Sequence, residues 1–364
     1  MGDVVIPFLH GGNRRAFAKH FGLQESEIVD FSSNGNPWGP PQSLFEVYQD
    51  SFHLLTSYPD PESLLLKKEI ARNFPLWPEN VIAANGATEL IYLLIQFLKP
   101  RRALLVEPTF LEYRRALNLH GVEVRNLLLR EKNDFLFSFA ELSNAARDVG
   151  MVFLSSPNNP TGALASRSEV LAFLEEMKRR EVFVVLDEAF IDWIPEESLA
   201  NVVSDSASFF IIRSLTKFFN LPGIRIGYGL GSKRLIERLE KTKITWSVNN
   251  LAETLGVQAL RDKEFQKHSR ENLAKEKDFF FKELAVIEDL KAFPSAANFF
   301  LVKLRGSMRS GGLVECLARE KIMIRDASNF VGLDNQFFRV AVRNRKDNEL
   351  LLESLKKIFQ TTHA

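Results

Sequence analysis

From position 81 onward the chain alternates short, continuous apolar runs with helical patterns, and no other feature limits its fold as strongly. Candidate strands fall at 81–84, 103–106, 123–128, 151–154, 182–186, 209–213 and 224–230. Helical patterns fall between several of them, at 88–98, 110–120 and 166–180. Runs of Val, Ile, Leu and Phe without polar alternation suit strands buried on both faces, and strands separated by helices pair in parallel. The expectation is an α/β fold built on a mainly parallel sheet. Beyond it, the charged segment 233–286 reads as two or three helices. Strand patterns at 298–304, 322–325 and 337–342 then surround a helix, and 347–359 reads as a closing helix, which together make a smaller α+β lobe. The opening forty residues are rich in Gly, Asn, Ser and Pro and read as an irregular arm. The expected division is an arm over 1–40 against the small domain and site, a large domain over 41–250 and a small domain over 251–364.

With 364 residues, the chain is long enough for two cores. Its 47 basic and 46 acidic side chains nearly cancel, so no global field recruits nucleic acid or a membrane surface, and an anionic ligand needs a local cluster. The single cysteine, Cys316, excludes an internal disulfide and fits a reducing compartment; its helical surroundings suggest a small buried residue. Segment 1–9 lacks the basic start and long apolar core of a signal peptide, and Ile6 stands where a myristoylation signal needs Ser or Thr. The most apolar helical stretch, 91–98, is too short to span a bilayer, so a cytoplasmic protein is expected.

Ligands of α/β sheets sit beyond the carboxyl ends of the strands, so the residues after each run matter most. After 81–84 comes Asn85-Gly86-Ala87-Thr88-Glu89, opening a helix. It is an ordinary capped helix start or, with its free N–H groups and the Thr88 hydroxyl, a phosphate cradle. The run 151–154 leads into Ser155-Ser156-Pro157-Asn158-Asn159-Pro160-Thr161-Gly162, a turn whose amides can also meet a ligand oxygen. Asp187 ends the next run; a carboxylate there is costly unless a cation neutralises it. Following 209–213, Ser214-Leu215-Thr216-Lys217-Phe218 places Lys217 between apolar neighbours, where desolvation would make its amine nucleophilic. Ser214 and Arg225 add a hydroxyl and a fixed cation. A cradle, an amide, a buried carboxylate and a desolvated lysine, in that order, form the set that pyridoxal phosphate requires. No metal site is expected. The glycines of Gly227-Tyr228-Gly229-Leu230-Gly231 lack dinucleotide-binding spacing.

The strings Pro157-Asn158-Asn159-Pro160-Thr161-Gly162, Asp187-Glu188-Ala189-Phe190 and Ser214-Leu215-Thr216-Lys217, with Arg225 eight residues on, resemble the fold-type-I class I/II aminotransferase superfamily. The resemblance covers nearly the whole chain. It implies an aspartate-aminotransferase-like α/β fold with pyridoxal 5'-phosphate as cofactor. By the same resemblance Lys217 would carry the Schiff base, Asp187 would pair the ring nitrogen, Asn159 would hydrogen-bond the phenolic oxygen and Phe110 would stack on the ring. Gly86, Ala87, Thr88, Ser214 and Arg225 would bind the cofactor phosphate. Tyr58 matches the tyrosine that reaches that phosphate from the neighbouring subunit, which implies a homodimer with shared sites. Phe190 departs from the pattern, since many aminotransferases carry a tyrosine there.

Two subfamilies are similar to this chain, histidinol-phosphate aminotransferase and the L-threonine O-3-phosphate decarboxylase of cobalamin biosynthesis. His10-Gly11-Gly12-Asn13, the stretch from Asp30 to Pro37, Asp187 to Asp192, Trp246-Ser247-Val248-Asn249 and the arginines Arg325 and Arg339 look closer to the decarboxylase. That resemblance places His10, Gly11, Asn34, Asn159, Arg325 and Arg339 on a small phosphorylated amino acid. It implies a lyase releasing CO2, with the aminotransferase as alternative. Read alone, His10 on an arm is a solvated side chain, and either arginine is a surface ion-pair partner.

Overall fold

The first strand, β1 (Val29–Asp30), belongs to the arm; the next seven build the central sheet. They are β2 (Val81–Ala84), β3 (Arg102–Glu107), β4 (Glu123–Leu128), β5 (Met151–Ser155), β6 (Phe183–Asp187), β7 (Phe209–Ser214) and β8 (Gly227–Leu230), in the order β2-β8-β7-β6-β5-β3-β4. The structure, a computed structural model, describes residues 10–204 and 208–363. Segment 1–9, read above for targeting signals, lies outside the described residues. Strands β4, β3, β5, β6 and β7 pair in parallel, whereas β8 runs antiparallel to both β7 and β2. Every residue of β2, β5, β7 and β8 is buried, as the unbroken apolar runs require.

The helices cover the sheet through apolar stripes. In Arg167–Arg179, Val170, Phe173, Leu174 and Met177 are buried at helical spacing, and the N-cap Ser166 accepts from the Glu169 N–H. In Ala87–Leu98, Leu90, Ile91, Leu94 and Ile95 are fully buried. Segment 233–286 resolves into three helices, Lys233–Glu240, Asn250–Arg261 and Lys263–Val286.

The second lobe contains β9 (Leu290–Ala292), β10 (Phe299–Leu304), β11 (Ile322–Met323), β12 (Arg325–Asp326) and β13 (Phe337–Ala341). Four of these form an antiparallel sheet in the order β12-β13-β10-β9, flanked by helices Ser310–Arg319 and Arg345–His363. The remaining one, β11, pairs in parallel with β1 of the arm, Val29 opposite Ile322.

Several expectations need correction. The opening forty residues are not wholly irregular: helix Arg14–Phe21 and β1 lie within them, and Phe17 and Phe31 are buried. Two aromatic anchors outweigh a glycine-rich composition. The run 224–230 becomes a strand only at Gly227, because Arg225 adopts φ +57°, outside the extended region. The run 322–325 divides at Ile324, where the chain exchanges its partner β1 for β13. Strand β9 was too short to carry a pattern, and Cys316 is only partly buried. Among the described residues no helix is long and apolar enough to cross a membrane.

Candidate active site

The parallel strands end on one edge of the central sheet, and a cavity of about 420 Å³ opens beyond it. Because β8 is antiparallel, its amino end lies on that same edge, with Ser214 opposite Gly227. Arg225, just before β8, thereby joins residues that follow the carboxyl ends of the other strands. The arm supplies His10, Gly11 and Asn34 to the lining, and β12 and β13 supply Arg325 and Arg339. Ala87, Thr88, Phe110, Asn159, Asp187, Ser214 and Lys217 complete the thirteen expected residues that line this one cavity.

Two expected residues lie off the lining. Gly86 stands behind it with φ +81°, and a Cβ there would come within 2.5 Å of Arg225 Nη2. Glycine at this position therefore lets the guanidinium close over the first turn of helix Ala87–Leu98. Tyr58 is 80% exposed and stacks on Trp246 with ring centroids 4.6 Å apart, away from its own chain's cavity.

Lys217 sits in short helix Leu215–Phe218 at the end of β7. Burial, with the nearby guanidiniums of Arg339 and Arg225, pulls its amine down from 10.5 to about 8. Asp187 is 5% exposed, and desolvation raises its carboxyl above the usual range. The hydrogen bonds it accepts come from the Ala189 N–H at 2.8 Å and the Tyr113 hydroxyl at 2.5 Å. The neighbouring guanidinium, Arg213, is buried and bound by Glu188 at 2.9 Å and Asp192 at 2.5 Å. The acidic string after β6 thus divides its work, Asp187 facing the cavity and its two companions neutralising Arg213.

On the opposite wall, Arg325 and Arg339 are direct partners across β12 and β13. Both are buried, and desolvation pulls Arg325 down to about 10 and, with Arg325 beside it, Arg339 to about 9. Two buried like charges side by side repel, with Asp326 and Asp30 partly offsetting them, and an anion bound between them would lower that cost further. Arg339 Nη1 donates to Asn159 Oδ1 and Nη2 to the Ser32 carbonyl at 2.8 Å, which orients the Asn159 amide. At the mouth, His10 Nε2 lies 2.9 Å from Glu112 Oε1, and Tyr92 donates to the other oxygen of Glu112 at 2.9 Å.

These residues fit pyridoxal 5'-phosphate. The first turn of Ala87–Leu98, Ser214 and Arg225 offer donors and positive charge for a phosphate, Phe110 offers a ring face, and Lys217 an amine with a depressed pKa. Asn34 Oδ1 and Arg339 Nε are buried in the lining without hydrogen-bond partners, so polar capacity remains for a ligand. Tyr113, Glu112, Thr216 and Phe330 also line the cavity and were missed. Tyr113 had a signal, since three residues past Phe110 is one helical turn, but nothing linear pointed it at Asp187. Among the described residues no three His, Cys, Asp or Glu side chains group as metal ligands.

A seven-stranded sheet whose carboxyl edge carries this lysine, aspartate and cradle defines a pyridoxal-phosphate enzyme of the aspartate-aminotransferase-like fold. Residues 26–355 match aminotransferase class I and II, and the chain belongs to that family. Threonine-phosphate decarboxylase of Salmonella typhimurium is 36% identical over 352 residues, 96% of each chain. The histidinol-phosphate aminotransferase structure from Clostridium acetobutylicum superposes with a TM-score of 0.86 at 31% identity, over 92% of this chain and all of that one. That of the Sinorhizobium meliloti histidinol-phosphate aminotransferase, in complex with pyridoxal-5'-phosphate, shares the fold with a TM-score of 0.87 at 20% identity, covering 98% of this chain and 96% of its own.

Proposed function

We propose that this protein decarboxylates L-threonine O-3-phosphate to (R)-1-amino-2-propanol O-2-phosphate and CO2, a step of cobalamin biosynthesis. The observation that carries the reading is the buried Arg325–Arg339 pair on the wall facing Lys217, with His10 at the mouth. A phosphomonoester dianion matches two adjacent guanidiniums in charge and in bidentate geometry. The similarity to the Salmonella decarboxylase supports the same substrate class.

Pyridoxal phosphate, when bound, supplies an electron sink for the pair released from a bond at the substrate Cα. The chain's residues decide which bond that is. An aminotransferase clamps the substrate carboxylate with arginine; here Arg325, Arg339 and His10 would take the phosphate instead, turning the carboxylate toward the position from which CO2 departs. Asn34 and Gly11 would close the arm side of the same subsite. Asp187 would hold the proton on the cofactor's ring nitrogen, Asn159 Nδ2 would donate to the phenolic oxygen, and Phe110 would lie on the ring face. Gly86, Ala87, Thr88, Ser214 and Arg225 would hold the cofactor phosphate. Lys217, its amine pulled down to about 8, would hold the cofactor's aldehyde group, and its Nζ would deliver a proton to the substrate Cα.

The reading includes a homodimer, with Tyr58 reaching its neighbour's cofactor phosphate. Tyr58, Phe52, Leu55, Leu65, Ile244 and Trp246 are large apolar side chains left exposed in the single chain, with Tyr58 stacked on Trp246. Exposed apolar side chains of this kind suit a subunit interface. A cytoplasmic location and the division into arm 1–40, large domain 41–250 and small domain 251–364 belong to the same reading, the former supported by one cysteine in the chain.

Purified protein supplied with L-threonine O-3-phosphate should release CO2 without needing a keto acid. The similarity to the Clostridium aminotransferase favours the second reading, amino transfer from histidinol phosphate. Transfer to 2-oxoglutarate with no CO2 would reverse the assignment.

A further inference from the structure

We infer that Tyr113 is a positioning residue for Asp187: its hydroxyl keeps the carboxylate ionised and fixed in direction, and so sets how tightly the site takes the cofactor's protonated ring nitrogen. The inference rests on the reading of Asp187 as the partner of that nitrogen.

Asp187 ends a buried strand and needs a reason to remain charged. Its surroundings offer little positive charge. Glu188, next in the chain, raises its carboxyl further, and Arg213 is already engaged by Glu188 and Asp192. Lys217 faces Asp187 and favours its ionised form, but the amine is itself pulled down to about 8. What remains are two donors, the Ala189 N–H on Oδ1 at 2.8 Å and the Tyr113 O–H on Oδ2 at 2.5 Å. Hydrogen bonds to a buried carboxylate stabilise its charged form directly.

Tyr113 is built to stay in place. It lies in the first turn of helix Leu111–Leu119, its ring stacks on Phe153 with centroids 4.9 Å apart, and Phe110 meets its edge at 5.6 Å. The residue is 1% exposed. Besides Asp187, the groups facing the phenol are Ser155, within hydrogen-bonding reach, and Glu107. Desolvation and the Asp187 charge push the phenol well above its ordinary range, so it remains an O–H donor throughout neutral pH. The hydroxyl therefore acts as a fixed donor and moves no proton. One helix turn serves two tasks, with Phe110 directed to the ring-binding cavity and Tyr113 to the carboxylate that the ring nitrogen would meet.

The experiment titrates cofactor-free protein with pyridoxal phosphate from pH 6 to 9, following absorbance, for wild type, Tyr113→Phe, Asp187→Asn and the double variant. Phenylalanine keeps both ring contacts and removes only the donor. Without that donor the Asp187 carboxyl rises further, so the acceptor is lost as pH falls. Tyr113→Phe should weaken binding about tenfold near pH 6.5 and approach wild type at high pH. In the Asp187→Asn background, removing the hydroxyl should cost nothing more, because the group acts only through the carboxylate. Replacing Tyr113 by 3-fluorotyrosine, a stronger donor of the same shape, should move the pH profile in the opposite direction, which a folding defect would not do. Unchanged affinity for Tyr113→Phe across the range, or an equal loss in the Asp187→Asn background, overturns the inference while leaving Asp187 in its assigned role. Wild-type affinity in Asp187→Asn alone overturns the underlying reading, and the inference with it.

Discussion

At position 217 the protein keeps an amine where folding alone would prefer a hydrocarbon. Lys217 ends in a cavity with two guanidiniums nearby, and the amine drops from 10.5 to about 8. In the unfolded chain the same amine titrates at its ordinary value. Between about pH 8 and 10.5 the unfolded state therefore binds more protons than the folded one, and stability rises with pH through that window. Below it the whole penalty is present. Replacing Lys217 by methionine, similar in length and uncharged, should stabilise the cofactor-free protein at pH 7 by about 2 kcal/mol. The advantage should shrink as pH approaches 10, which urea denaturation at several pH values will show. Identical midpoints for the two proteins at pH 7 would mean that the amine is not desolvated. The reactivity proposed for Lys217 and its destabilising effect would thus share one cause, desolvation.

On the proposed reading, the element that would hold the cofactor phosphate is the amino end of helix Ala87–Leu98, where three backbone features depend on one another. Gly86 holds φ +81°, Arg225 holds φ +57°, and a Cβ on Gly227 would come within 2.5 Å of the Ala87 nitrogen. A left-handed residue that is not glycine is uncommon and tends to mark functional sites. Here it turns the Arg225 guanidinium back over the turn that Gly86 opens. Gly86→Ala introduces a strained φ of about 1–2 kcal/mol and displaces Arg225 Nη2. Because Arg225 is exposed and its far end flexible, the fold should survive. Affinity for pyridoxal phosphate should fall about tenfold with a melting temperature lowered only modestly. An alanine variant that binds the cofactor as wild type does would remove this cradle from the account.

Across the whole molecule, the cavity depends on the arm and both lobes, and the dimer reading adds a second chain. Tyr58 cannot complete its own chain's site from its stacked position on Trp246. Tyr58→Ala and Lys217→Ala proteins, each poorly active alone, should therefore regain activity when mixed under conditions that exchange subunits, since one site of the mixed dimer has both intact residues. Sedimentation should give twice the chain mass of 41.5 kDa. A monomer at micromolar concentration, or no recovery on mixing, would place Tyr58 outside the site.

Most of the central sheet was legible because strands such as β2, β5 and β7 are buried on both faces, which leaves an apolar run in the sequence, and because the cavity-lining residues follow the ends of such runs. Asp187, Lys217 and Asn159, which line the cavity, and the turn at Gly86 beside it could be singled out for this reason. Contacts between distant positions leave no such trace. The hydroxyl of Tyr113 on Asp187, Arg339 on Asn159, and the pairing of Val29 with Ile322 each join segments 74 to 293 residues apart. Sequence periodicity reports which face of an element is apolar, so it carries the layers and the strand ends. Which polar atoms then meet across the cavity depends on how the lobes and the arm pack, and that was settled only when the chain closed on itself.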